Sequence, residues 1–554
     1  MPGRRPRHPA GRGARGRRGP RGRRGGRALL LGRLRDAGAP PPDGGARACQ
    51  DRGVRPLAVD DPEDLDREAL LSVALDGRVP VLGERLLDGL AQRRAEVLAI
   101  LARGRPVYGV STGMGAQSGV RLSAEEEAEH QGRLLVGRAA GGPPWLDRAE
   151  VRALVAVRLR TFLSGDAAVS PGLCARLAGL LEHDVAPAVP RHGSGSAGEI
   201  VPLAHAFQVL VGLGAVLDRG TGDRTVRLAA PVLGALGLGR AGVGPKEGIA
   251  LLAGVPGATA LALLRAHEAR TLLQHALAVA AAGIAVVRAP RDPYHPLAAR
   301  GDDLLADVLE HLRDLAGPEP APRSVQAPVS FRVAGAVAAH ALRAAGALEG
   351  AVDRALDGVT DSPAHLDGGL VGTAGFHGVD LAGHLDALVA ALVHAAEVSV
   401  ARLHRLLDEE VTGLPRQLTE RPGPECGLVA VHKRAVAAAH AARRLALPAA
   451  LGPVETSGGQ EDVQSFAWEA AEQARLALEA LREVLACELL AVHRAWLLAR
   501  RPPPAGVAPL LRAVDLRVPA GLGDRPFGAD VEELRAALRE GLPTGPAGAG
   551  AARR

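Results

Sequence analysis

Four long stretches of periodic apolar residues in the second half of the chain constrain its fold most strongly. They run over Val333 to Leu356, Leu381 to Leu407, Leu428 to Leu447 and Val463 to Ala499. Apolar residues that recur every three or four positions predict amphipathic helices. Helices this long, joined by short connections, suit an extended bundle and exceed what one small domain needs. We therefore expect a mainly α fold whose helices also pack against partner subunits.

The N-terminal 53 residues differ sharply from the rest of the chain. Residues 1–35 contain 13 arginines and no acidic residue, so a net charge of +6 becomes about −7 for the remaining sequence. An Arg/Gly/Pro-rich segment cannot build a core, so we predict a disordered tail over residues 1–53. The tail has no aromatic residue for base stacking, which argues against nucleic acid as a partner.

Cysteine usage and hydropathy indicate the environment of the protein. Cys49, Cys174, Cys426 and Cys487 are far apart and form no zinc-binding motif. They are typical of thiols in a reducing compartment, which favours a cytoplasmic location and no resident metal. Because no run of about 18 uncharged apolar residues occurs, we expect no transmembrane helix.

A Gly/Ser-rich segment from Val189 to His205 is the strongest candidate for a functional loop. Ser196 and Glu199 have the spacing of a capping box, and an apolar run follows. Pro202 would sit badly inside such a helix. We therefore favour a bent loop with a helix starting near Pro202, whose backbone N–H groups face an anion or an electrophile.

Two segments resemble the histidine and aromatic amino acid ammonia-lyases. Gly198 to His205 is similar to the family sequence Gly-Asp-Leu-Ala-Pro-Leu-Ala-His, and Tyr108 to Gly115 is similar to Tyr-Gly-Val-Asn-Thr-Gly-Phe-Gly. The resemblance extends over roughly residues 55–500, because other family motifs follow in the family order. These motifs are Gln131 to Gly141, Pro245 to Gly248, Val325 to Arg332, Val359 to Pro363, Phe376 to Gly378, Thr412 to Pro415 and Thr456 to Asp462.

The resemblance implies an ammonia-lyase-like fold with a long central helical bundle and an N-terminal domain that carries the active-site loops. It places the loop domain at residues 54–245, the bundle at residues 246–510, and a C-terminal segment and tail at residues 511–554. It also implies a homotetramer whose active sites combine residues from different chains.

The same resemblance makes one substitution decisive. In the family, an Ala-Ser-Gly triad cyclises and loses water to form a methylidene-imidazolone, an electrophile that needs no external cofactor. Here Ser196, Ala197 and Gly198 align with the triad, and the methyl group of Ala197 has no hydroxyl to lose. The resemblance thus implies a divergent member without the usual electrophile. Two other alignments place Ser194 or Ser196 centrally and would give an active amino acid ammonia-lyase or aminomutase.

The remaining site residues are also implied by the family motifs. Tyr108 aligns with the catalytic base and Glu461 with an acid near the amine. Substrate would be held by Arg332, which aligns with the carboxylate-binding arginine, together with Gln326 and Phe376.

Arg138 aligns with the position that selects the substrate ring, where an arginine suits an anionic ligand better than an apolar ring. Departures from the family pattern occur at Val329, Ala253 and Gly375, which replace a tyrosine and two asparagines. We therefore expect the chain to bind a small amino acid or carboxylate. We expect it to assemble as a homotetramer or as a hetero-oligomer with an intact paralogue.

Overall fold

Nearly all of the chain that resembles the family is described by the computed structural model. The described residues are 55–219, 225–240, 242–318 and 321–545. The predicted tail over residues 1–53, Cys49 and the last nine residues lie outside them.

The N-terminal part consists of helices of moderate length and short strand pairs. Strand β1 (Pro56–Val59) pairs in parallel with β2 (Val79–Leu82), and β3 (Ala215–Leu217) pairs antiparallel with β4 (Val226–Leu228). The helices of this part are α1 (Arg67–Leu75), α2 (Glu84–Leu101), α3 (Ala124–Gly137), α4 (Arg148–Leu163), α5 (Pro171–Glu182), α6 (Ile200–Phe207) and α7 (Ala229–Ala235).

Several of these helices begin where the sequence supplies a side-chain acceptor for the free backbone N–H groups. The carboxylate of Asp66 accepts from Ala69 N at the start of α1, and Ser170 accepts from Leu173 N at the start of α5. Capping boxes begin α3 at Ser123 and α4 at Asp147. Local sequence therefore fixes these helix starts.

Longer helices form the rest of the chain. The antiparallel strands β5 (Ala364–Leu366) and β6 (Gly369–Val371) interrupt them. The helices are α8 (Glu247–Leu252), α9 (Pro256–Val286), α10 (Asp303–Ala316), α11 (Val329–Arg332), α12 (Ala334–Asp357), α13 (Val379–Leu406), α14 (Glu409–Thr412), α15 (Val429–Ala442), α16 (Ala467–Ala499), α17 (Ala508–Asp515) and α18 (Phe527–Glu540).

The central bundle is built on α9, α12, α13 and α16. Helix α13 packs along α16, and α9 packs against both α12 and α16. Helix α9 is buried over most of its length because most of its residues are apolar and are not confined to one face; its central turns carry the polar residues, such as Glu268 and Arg270. The predicted mainly α architecture with a long-helix bundle is confirmed.

The bundle and the N-terminal helices share a core. Helix α4 packs against α9, and the largest cluster of buried apolar residues extends from Val59 to Leu542. The boundaries proposed at residues 245 and 510 stay a prediction.

Among the residues that the structure describes, two stretches are long and apolar enough to cross a membrane by length and composition alone. They are Glu247–Val286, whose most apolar window is entirely buried inside the protein, and Val379–Leu406, whose window is 56% buried. Both stretches belong to the helical bundle of this protein. Buried core helices of soluble proteins meet the same criteria of length and composition, so these two stretches are weak evidence for a membrane span.

Candidate active site

The loop that follows α2 brings Tyr108 to the wall of a cavity. Gly109 has a φ of +66°, and a Cβ atom there would lie 2.2 Å from Cδ1 of Ile249. A side chain at this position would therefore collide with α8, so glycine lets the loop press against that helix. The Tyr108 hydroxyl accepts a hydrogen bond from Gly115 N at 2.9 Å, and the side chain is 37% exposed.

The Gly/Ser segment is a bent loop, and α6 begins at Ile200, two residues before Pro202. The Ser196 hydroxyl lies 3.0 Å from Ser194 O and 2.8 Å from Gly198 O, and it accepts weakly from Ile200 N at 3.4 Å. Ser194 is buried, with its hydroxyl 3.4 Å from Gly198 O. Both serine hydroxyls are thus engaged within the loop.

Ala197 occupies a different position from the two serines. Its backbone N–H donates to Oε2 of Glu461 at 3.0 Å. Oε1 of Glu461 accepts from the Ser457 hydroxyl at 3.1 Å. Glu461 therefore joins two segments that lie 264 residues apart in the sequence.

A cavity with a volume of about 270 Å³ lies between these loops and α8. Its wall includes five residues predicted for the site, namely Tyr108, Ala197, Gly198, Phe376 and Glu461. The other lining residues are Met114, Ile200, Ile249, Leu252, Ala253, Gly254, Ser362 and Gln460. A mainly apolar cavity with a few polar groups in its wall is typical of a small-molecule site.

Ser194 and Ser196 do not line this cavity, although they belong to the same loop as Ala197. Together with Ala197 and Gly198 they line a second, very small cavity, which also contacts Trp468 and Glu469. Glu469 accepts from Ser194 N at 3.3 Å, and its Oε2 atom is buried without a hydrogen-bond partner among the described residues. Burial raises the pKa of Glu469 above its ordinary value.

Glu199 holds the end of the Gly/Ser loop in place. It does not form the capping box that its spacing from Ser196 suggested; instead its carboxylate accepts from Gly257 N at 2.7 Å and Ala258 N at 2.5 Å. These are free N–H groups at the start of α9, where an acidic side chain is favourable. Because Glu199 is fully buried, its pKa rises to about 7.

Arg138, Arg332 and Gln326 are not among the residues that line the cavity of their own chain. Arg332 lies at the end of α11, and its buried Nε atom has no hydrogen-bond partner among the described residues. Gln326 is exposed, as is Val329, which replaces the family tyrosine. One chain therefore brings Tyr108 and Glu461 together but leaves Arg332 apart from them.

The two positions that lack a family asparagine differ in structure. Ala253 lines the cavity, and its carbonyl accepts from Nη2 of Arg158. At Gly375, a Cβ atom would lie 2.1 Å from Val359 O. No side chain fits at Gly375 without a shift of the backbone. The loss of the family asparagine at this position therefore has a steric reason, besides the absence of asparagine from the whole sequence.

His205 holds neighbouring segments together near the site. His205 accepts from Gly141 N at 3.0 Å, and its ring lies 6.0 Å from that of Trp145. Within the described part of the chain, no three His, Cys, Asp or Glu side chains come together in a way that could hold a metal ion.

The sequence and the fold are similar to those of known proteins. Residues 65–516 match the family model described as aromatic amino acid lyase. The chain is 35% identical over 492 residues to histidine ammonia-lyase of Streptomyces coelicolor, covering 85% of this chain and 94% of that protein. It is 31% identical over 490 residues to histidine ammonia-lyase of Deinococcus radiodurans, covering 86% and 93%.

A solved structure of tyrosine aminomutase from Streptomyces globisporus superposes with a TM-score of 0.82 at 27% identity, covering 88% of this chain and 97% of the other. The fold therefore defines an ammonia-lyase or aminomutase type of subunit. The chain belongs to the aromatic amino acid lyase family, as its motifs predicted.

Proposed function

We propose that this family member is impaired in conventional ammonia elimination because Ala197 stands where the electrophile-forming serine is needed. One observation carries the proposal. The loop residues that line the cavity beside Tyr108 are Ala197 and Gly198, whereas the hydroxyls of Ser194 and Ser196 are engaged within the loop. The cavity thus receives a methyl group from the central triad position.

In the alignment that places Ala197 at the centre of the triad, Ser196, Ala197 and Gly198 do not fit a methylidene-imidazolone. An exocyclic methylidene is left when the central residue loses a β-hydroxyl, and the Cβ atom of Ala197 carries only hydrogen. Elimination of ammonia needs an electrophile for the amine as well as a base and a carboxylate anchor.

Binding of a small amino acid or carboxylate is the function that the cavity retains. Tyr108 and Glu461 supply polar groups to its wall, and Ile249 and Leu252 supply apolar side chains. A pocket that combines apolar walls with a few fixed polar groups selects ligands by shape and by hydrogen bonding.

We further propose that Arg332 and Gln326 complete the cavity of a neighbouring chain, in a homotetramer or in a hetero-oligomer with an intact paralogue. The surface beside Arg332 supports this arrangement, because Val325 is 93% exposed and Val329 is 58% exposed. Exposed apolar side chains grouped beside a functional arginine are typical of a surface that another protein covers. A cytoplasmic location fits the buried free thiols of Cys174 and Cys487.

An assay for ammonia release tests the proposal. The purified chain should release no ammonia from histidine, phenylalanine or tyrosine, and it should lack the ultraviolet absorbance and the sensitivity to nucleophiles that the electrophile confers. Turnover that a nucleophile abolishes would favour the alternative, in which Ser194 or Ser196 forms the electrophile. Light scattering on the chain truncated before Val54 tests the assembly, and a monodisperse monomer would contradict the shared site.

A further inference from the structure

We infer that Gln131 is a positioning residue for Tyr108, because its buried amide holds the loop of Tyr108 against α8 and so sets the distance between two walls of the cavity. The inference rests on the proposed function, since it concerns the cavity that would bind a small amino acid or carboxylate. It goes further by naming a residue outside the cavity wall that controls where a polar group of that wall lies.

The Gln131 side chain makes hydrogen bonds to two different elements. It lies on α3, and its Nε2 atom donates to Gly109 O at 2.9 Å, in the loop of Tyr108. Its Oε1 atom accepts from Ile249 N at 3.1 Å, in α8. These partners are 22 and 118 residues away along the sequence. One amide therefore joins two segments of the cavity wall, because Tyr108 and Ile249 both line the cavity.

Burial keeps bulk water from replacing either bond. Gln131 is 1% exposed, and Gly109 and Ile249 are buried as well. Ile249 is the third residue of α8, where backbone N–H groups have no acceptor within the helix, and the N-cap residue Lys246 supplies no side-chain acceptor. Removal of the amide would therefore take a partner from a buried carbonyl group and from a buried N–H group at once.

The loop of Tyr108 depends on this amide for its attachment to a helix. Among the described residues, the other hydrogen bonds of residues 107–115 are made within residues 107–122. The bond that the Tyr108 hydroxyl accepts from Gly115 N at 2.9 Å is one of them. Such bonds shape the loop, whereas the bond from Gln131 fixes it to α3 at the residue next to Tyr108.

Close packing makes the loop sensitive to this side chain. At Gly248, a Cβ atom would lie 2.1 Å from Gln131 O, and at Gly109 a Cβ atom would lie 2.2 Å from Cδ1 of Ile249. The loop, α3 and α8 therefore meet without room for another side chain. In so close a contact, a change in the hydrogen bonding of residue 131 should move the loop, and Tyr108 with it.

An amide suits this position because it donates and accepts at the same end of the side chain. Gln131→Glu keeps the length and the acceptor for Ile249 N, but an ionised carboxylate has no proton to donate to Gly109 O. Gln131→Met has a similar length and removes both bonds. The two variants therefore separate loss of the bond to the loop from loss of both bonds.

The chain offers a direct probe of this role, because Tyr108 and Tyr294 are its only tyrosines. Tyr294 is wholly buried, and its hydroxyl donates to Phe331 O at 3.0 Å. Fluorine NMR of the full-length protein labelled with 3-fluorotyrosine should therefore show two signals, which the variant Tyr108→Phe assigns. The Tyr294 signal reports the general fold, and the Tyr108 signal reports the loop.

In Gln131→Met, we expect the Tyr108 signal to move toward that of free 3-fluorotyrosine, while the Tyr294 signal stays in place. In Gln131→Glu, the Tyr108 signal should be displaced at about pH 8 and should return toward its original position at about pH 5, because a protonated carboxyl group can again donate to Gly109 O. The unaltered protein, recorded at both pH values, is the reference.

Gln92→Met is the matched control. Gln92 is exposed on α2 and donates to Glu96 of the same helix at 3.3 Å. The same chemical change at this surface position should leave both fluorine signals where they are in the unaltered protein.

Two results would overturn the inference. One is a Tyr108 signal that is unchanged in both Gln131→Met and Gln131→Glu. The other is an equal displacement of the Tyr108 and Tyr294 signals in both variants, because Gln131 would then support the whole fold rather than Tyr108. The measurement needs no ligand. A protein that binds no amino acid would refute the proposed function and would leave this test of Gln131 unaffected.

Discussion

Removal of the Glu461 carboxylate should loosen the loop that carries Ala197. Glu461 accepts hydrogen bonds from Ala197 N at 3.0 Å and from the hydroxyls of Ser457 at 3.1 Å and Thr456 at 3.4 Å. The two hydroxyls belong to the same short turn as Glu461. The bond to Ala197 is the one that ties this turn to a distant segment.

The expected size of the effect follows from these contacts. A hydrogen bond to a charged group contributes about 1.5–3 kcal/mol, and the long contact with Thr456 contributes little. Because Glu461 is partly exposed, we expect Glu461→Ala to lower the free energy of unfolding by about 2–3 kcal/mol. Glu461→Gln keeps an acceptor oxygen and should cost about 1 kcal/mol.

Chemical denaturation and hydrogen exchange measure the effect. Peptides that cover residues 192–200 should exchange faster in Glu461→Ala than in the unaltered protein. Glu455→Ala is the control, because Glu455 is an exposed glutamate of the same segment; it should change the free energy of unfolding by less than about 0.5 kcal/mol. Unchanged exchange at Ala197, with stability equal to that of the control, would refute the role assigned to Glu461.

Three further predictions concern the loop and its supports. Ala197→Ser should not by itself release ammonia efficiently from histidine, phenylalanine or tyrosine, because catalytic groups act as a unit and others are missing; efficient turnover would contradict this. Burial raises the pKa of Glu199 from 4.5 to about 7. Between these two pH values the Glu199 carboxyl group is protonated in the folded protein and ionised in the unfolded chain. Its contribution to stability should therefore fall as pH rises from about 4.5 to about 7 and then level off. Glu199→Gln should lack this fall when unfolding is followed across that range. Gly248→Ala would place a Cβ atom 2.1 Å from Gln131 O and should cost at least about 2 kcal/mol in thermal unfolding, whereas Gly132→Ala, with nothing within 4 Å, should not destabilise.

The long helices could be predicted from the sequence because their apolar residues recur with the period of a helix. The pattern over Leu381 to Leu407 corresponds to the helix Val379–Leu406. The pattern from Val463 corresponds to a helix that starts at Ala467, because the preceding residues form the turn around Glu461. Local sequence therefore finds these helices but not the tertiary contacts that trim their ends.

Contacts between residues that are distant in the sequence could not be predicted from local sequence patterns. The spacing of Glu199 suggested a bond to Ser196, but the carboxylate binds the start of α9, 58 residues away. Gln131 and Glu469 support the Tyr108 loop and the Gly/Ser loop, and no local pattern marks either residue for that role. The separation of Arg332 from Tyr108 within one chain is also set by long-range packing, which local sequence patterns do not reveal.

Intact-mass spectrometry of the purified protein, followed by peptide mapping, tests the central claim most directly. Because Ala197 has no hydroxyl to lose, the protein should have the mass of its unmodified sequence, and the peptide containing Ser194 to Gly198 should be unmodified as well. A species lighter by two water molecules, with the loss located in that peptide, would contradict the account and establish that a neighbouring serine forms the electrophile.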